Sequence, residues 1–241
     1  MAQNSLAESF VTLLDWALHW WIAGEDPGLG LVRSISGQLG PVTRWASAVA
    51  MALTVVSFAV LLMVRRRGSD LADMVLSLGR LLLVLSAGWL VFAAGWALSD
   101  AMGRWIIGSR PGVGEYVEAV TDALADAEPA LAMTLSVLGM SAVLSFIAVV
   151  LARFVLAVLL VAGIPVLAGA ALSRRAVGLR AAGGWLLAVL AFRPLACIVY
   201  RVGHSLVTDS GQPVIVLLSV ALTFLLSAAM LPAVARLGTA S

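Results

Sequence analysis

Lysine is absent, since all fifteen positions counted as Lys or Arg are arginine. A chain without lysine has no Walker-type phosphate loop and no lysine Schiff base, which removes those routes to nucleotide hydrolysis and imine chemistry. Cysteine occurs once, so Cys197 cannot form an internal disulfide, and its apolar neighbours read it as a small buried hydrophobe. Charge of either sign is scarce at 12% of residues against 62% hydrophobic, a balance far from that of soluble domains. The chain therefore reads as an integral membrane protein, its 241 residues enough for five or six crossings and little besides. The net charge of +2 says little, because membrane arginines mainly set topology. The first segment carries Glu8 and Asp15 and lacks both a basic start and a small-residue cleavage site, so it does not read as a signal peptide. Heavy use of alanine, arginine and glycine suggests a GC-rich bacterial genome.

Residues 5–22 place Leu6, Phe10, Leu13, Leu14 and Ala17 on one helical face, with Glu8, Asp15 and His19 off it. Trp16, Trp20 and Trp21 gather at the end, where indoles favour the headgroup layer. This pattern predicts an amphipathic helix lying on the membrane surface. With the Gly- and Pro-punctuated loop after it, it makes a non-cytoplasmic N-terminal segment over residues 1–40, ahead of a polytopic domain over 41–236 and a tail over 237–241.

The first predicted crossing, Val42–Val64, ends at Arg65, Arg66 and Arg67, which the positive-inside rule puts in the cytoplasm. The second, Val75–Leu98, has Arg80 near its cytoplasmic end, and Gly95, Ser99 and Gly103 recur every four residues as a small-residue stripe suited to close helix packing. In the external loop 99–129, Glu115, Glu118, Asp122 and Asp126 share one helical face, with Val117, Val120 and Leu124 on another. That acidic face is either a solvated surface or a docking surface for an external partner. Calcium binding is not expected, because helical spacing does not wrap oxygens around an ion.

Ala130–Ala152, Arg153 and the apolar run Phe154–Leu172 are together too long for one crossing, so a turn or break is expected. Gly163, Pro165 and Gly169 mark the second run as kinked or re-entrant, ahead of a basic loop with Arg174, Arg175 and Arg180. Charge bias then favours five crossings and segment length favours six; the reading leans to five. The last two crossings are Trp185–Val202 and Pro213–Val234. The predicted fold is all-α: a polytopic membrane protein of five to six transmembrane helices, with an interfacial amphipathic helix and one kinked or re-entrant segment.

Chemistry is hard to find. Ser141 lacks the second glycine of the usual intramembrane serine-protease motif, and no carboxylate lies inside a predicted crossing to make an aspartyl pair or bind a coupling ion. Asp15 and His19 are two ligands without a third, and Cys197 and His204 read as satisfied or interfacial, so no metal site, cofactor or catalytic residue is predicted. The intramembrane candidates are arginines. Arg80, Arg153 and Arg201 lie near predicted ends, where their side chains either snorkel to the interface, line a polar passage or neutralise acidic partners, with snorkelling favoured. Arg193 lies mid-crossing beside Pro194, which removes a backbone donor at the same depth. With no acid in the crossings, its expected partner is another chain, a backbone carbonyl or water.

The order of these features resembles a known family. A crossing that ends in an arginine cluster leads to one that starts near Arg80 and closes in Leu98-Ser99-Asp100. An acidic loop follows, then Arg153 opening a run with Pro165, and finally Trp-Leu-Leu-Ala-Val-Leu-Ala-Phe-Arg-Pro-Leu-Ala over 185–196 leading to Tyr200. Over residues 42–236 this is similar to VirB6/TrbL, the polytopic inner-membrane component of type IV secretion and conjugation machines, in an actinobacterial-like form. The family's late motif commonly reads Lys-Pro, where this chain has Arg193-Pro194. The resemblance implies a non-enzymatic, homo-oligomeric platform in the bacterial inner membrane. It also implies secretion ATPases and channel subunits as partners, with DNA or protein substrates translocated past it.

Overall fold

The computed structural model describes residues 2–23, 30–38, 68–108, 112–170 and 177–240, with isolated helical positions between 45 and 56. The predicted crossing Val42–Val64 falls almost wholly outside the described residues, as do Arg65, Arg66, Arg67, Arg174 and Arg175, and so do the side chains of Arg80, Pro165 and Arg180. Among the described residues every regular element is a helix. Helix α1 is Ala2–Leu18, continued by a π-helical turn His19–Ala23. There follow α2 (Gly68–Ile107), α3 (Val113–Asp126), α4 (Pro129–Ala170), α5 (Val177–Asp209) and α6 (Pro213–Ala240), after a short helical stretch over 30–38.

Prolines open α4 and α6, where the missing N–H is one of the donors a first turn leaves unused anyway. Among the described residues, stretches within three helices are long and apolar enough to cross a membrane: Pro129–Gly163, Ala182–Asp209 and Pro213–Arg236. Large apolar side chains stand exposed along α4 (Val137, Leu144, Leu151) and α6 (Leu218, Leu222, Leu226), a surface suited to lipid.

The break expected near Arg153 is not there. Helical structure runs unbroken through all 42 residues of α4, about 63 Å at helical rise. Nothing between Ser141 and Leu160 is a glycine or a proline, and the arginine is accommodated by burial against an aromatic ring rather than by opening the helix.

The chain divides into two compact units, one of residues 1–27, 98–153 and 190–233, the other of 28–97, 154–189 and 234–241. In the first, α1 packs on α3, and much of the stripe read as lipid-facing is covered by protein: Phe10, Leu14 and Ala17 are buried, as is Leu18 beside them, while Leu6 and Leu13 are half-buried. Phe10 lies where a side chain on residue 139 of α4 would stand; a Cβ there would meet its ring at 2.6 Å, so Gly139 admits α1. Trp21 meets Phe146 edge-on at 5.0 Å and Phe192 at 6.3 Å, and Phe146 in turn meets Phe224 at 5.4 Å, which joins the end of α1 to α4, α5 and α6. Trp16 and Trp20 instead stack on each other at 5.6 Å, with Trp16 exposed. The second unit has its own aromatic run, in which Phe92 meets Trp96 at 5.6 Å and Trp96 meets Phe154 at 6.0 Å.

Candidate functional site

Arg193 lies near the middle of the apolar stretch Ala182–Asp209 and is 3% exposed. Its guanidinium Nη1 pairs with Oδ1 of Asp100 on α2. The second carboxylate oxygen, Oδ2, accepts from Nη1 of Arg104 at 2.8 Å, one turn further along α2 and largely exposed. Asp100 thus bridges a buried arginine and an exposed one. Removing one partner of a buried pair leaves an uncompensated charge, which costs about 3–5 kcal/mol.

Contacts on either side of the pair bring α2 and α5 close together. The Ser99 hydroxyl donates to the Leu190 carbonyl at 2.5 Å. At Gly103 a Cβ would lie 3.2 Å from both Arg193 Cγ and Cys197 Sγ, so any larger residue on this face of α2 needs those side chains to give by a few tenths of an ångström. Ser99 and Gly103, members of the small-residue stripe, therefore serve as a packing surface for α5. Arg153 of α4 is fully buried rather than snorkelling, its guanidinium carbon 5.7 Å from the centre of the Phe192 ring, next in sequence to Arg193. A cation over an aromatic face is attracted by the ring quadrupole.

A second cluster joins α5 to α3. Tyr116 and Tyr200 are buried with ring centres 5.7 Å apart, and His204 lies 6.0 Å from each. His204 Nε2 donates to the Gly112 carbonyl at 3.1 Å. Gly112 has φ +62°, and a Cβ there would stand 2.2 Å from that same nitrogen, so glycine is required twice over. Arg201 Nη1 donates to the Ile107 carbonyl at 3.3 Å, capping the end of α2. Burial pushes the Tyr116 phenol above its ordinary range and Tyr200 adds to this.

Of the residues singled out from sequence, Arg153, Arg193 and Pro194 fall within one unit, the two arginines flanking Phe192. Glu115, Glu118, Asp122 and Asp126 all stand exposed on α3, opposite the buried Val113, Tyr116, Val120, Ala123 and Leu124. Asp15 and His19 pair with each other at 3.0 Å on α1, and among the described residues no three His, Cys, Asp or Glu side chains are grouped to hold a metal ion. Arg193 was expected to find its partner in another chain, a backbone carbonyl or water; Asp100 of its own chain overturns that. The predicted crossing closed at Leu98 and left Asp100 in a loop, whereas α2 continues to Ile107 and carries the carboxylate to the middle of α5. A usable signal was present: Asp100 sits beside the small-residue stripe, on a stretch with no proline or loop-like sequence before Gly108.

No family profile matches the chain, and no curated protein and no solved structure is significantly similar to it.

Proposed function

We propose that the chain is a non-enzymatic platform component of a type IV secretion or conjugation machine, of the VirB6/TrbL kind, in a bacterial cytoplasmic membrane. In this reading its N-terminus is non-cytoplasmic, copies of it surround a path for DNA–protein complexes or effector proteins, and ATPases and channel subunits of the machine supply energy and continuity. One observation carries the reading. The two stretches that bear the resemblance, Leu98-Ser99-Asp100 and Trp185–Ala196, are also two that meet, through Ser99 with Leu190 and Asp100 with Arg193. Scattered shared residues are weak support; residues that interlock are parts of one device.

A second reading, a small-solute transporter or channel subunit, is favoured by Asp100 itself. An ionisable side chain facing the middle of an apolar helix is the usual mark of an ion path. Purification in mild detergent separates the two. A symmetric ring, or co-purification with a secretion ATPase, supports the platform; a monomer that moves a small solute across liposomes contradicts it.

A further inference from the structure

In an α-helix the carbonyl of residue i accepts from the N–H of residue i+4. The carbonyl of Leu190 would take its bond from residue 194, which is a proline inside α5 and has no N–H to give. The gap falls within a stretch apolar enough to cross a membrane, where water is not at hand to fill it. The Ser99 hydroxyl of α2 donates to this same carbonyl. One residue on, Asp100 holds Arg193, the residue before the proline. Two dipeptides on different helices therefore match term for term: the hydroxyl answers the proline and the carboxylate answers the arginine.

We infer that Ser99 supplies from α2 the hydrogen bond that Pro194 deletes from α5, and that Ser99 and Asp100 are positioning residues holding Arg193-Pro194 in register. A small side chain alone would satisfy the packing at position 99; only a hydroxyl also supplies a donor. Gly103, one turn further along α2, lets Arg193 and Cys197 approach closely enough for both bonds to form. A slip of one residue between the helices would break both together, so the register is held all-or-none. Arg193 is then a fixture between two helices of its own subunit rather than a side chain lining a passage. The inference goes beyond the secretion reading and does not depend on it.

The test is a double-mutant cycle on the full chain, purified in mild detergent and read by its unfolding equilibrium, with no cargo or ATPase present. Ser99→Ala is expected to shift the folded-to-unfolded ratio about tenfold toward unfolded, the effect of stranding a buried carbonyl. In a Pro194→Ala background, where residue 194 recovers its N–H, the same change is expected to have almost no effect. Ser99→Thr, which keeps the hydroxyl, is expected to retain most of the stability. An equal effect of Ser99→Ala in both backgrounds, or none in either, would overturn the inference. If Ser99→Ala fails to accumulate in membranes, accumulation of the double variant reads the same coupling: recovery supports the inference and continued failure overturns it. The secretion reading fails on different ground, the copy number and partners of the purified protein.

Discussion

Arg193 alone at the centre of a bilayer would be disfavoured by about 2.5–3.5 kcal/mol on insertion scales. Asp100 changes that problem from an isolated charge to a buried pair, whose loss is more damaging than its presence is stabilising. Asp100→Asn is therefore expected to destabilise the purified protein by about 3–5 kcal/mol in denaturant titration. An effect below about 1 kcal/mol would mean that the pair behaves like an exposed salt bridge. Tyr116 gives a pH-dependent prediction. Its phenol ionises near the ordinary 10.0 in the unfolded chain, while burial holds it neutral to higher pH in the folded one. The folded state keeps its proton longer, so the contribution to stability is complete below about pH 10 and declines as pH climbs above it. Tyr116→Phe is expected to flatten that alkaline decline in a melting series, and an unchanged slope would exclude Tyr116 as its source. At this scale the sequence showed which side chains were costly but not what answered them. Arg193 and Asp100 are 93 positions apart, and no periodicity links residues so distant.

Among the helices, periodicity was a good guide wherever one face was polar. The acidic face of α3 and the apolar stripe of α1 both appear where spacing put them, although much of the stripe of α1 is covered by the chain's own α3 and α4 rather than left to lipid. Periodicity failed in α4, which is apolar all round and so carries no signal for where a crossing ends. Arg153 looked like a boundary because a charge suggests an interface; the Phe192 ring that receives it lies on another helix. The end of α2 was missed for a related reason, since Asp100 looked like loop sequence until Arg193 stood opposite it. The register of α2 on α5 can be checked through the chain's one cysteine. A Cβ at position 103 would stand 3.2 Å from Cys197 Sγ, close to the spacing across a disulfide. After mild oxidation in membranes and denaturation in SDS, Gly103→Cys is expected to have lost both thiols to maleimide labelling, and to recover them on reduction. Two thiols that remain labelled after oxidation would place the helices in a different register.

For the whole molecule, composition alone pointed to a helical membrane protein, and the long apolar helices of α4, α5 and α6 agree. The proposed function is legible only through the order of a few polar residues in apolar surroundings, because the platform proposed would need no catalytic constellation of its own. The proposal therefore rests on how Leu98-Ser99-Asp100 and Arg193-Pro194 interlock, and the most direct measurement couples that joint to transfer. Cells lacking this chain are to be complemented with wild type, Arg193→Ala and Arg193→Lys at matched membrane levels, and substrate transfer counted. Transfer lost without the chain, restored by wild type and largely by Arg193→Lys, and strongly impaired in Arg193→Ala is the predicted result. Undiminished transfer in cells lacking the chain, or in those carrying Arg193→Ala, would contradict it.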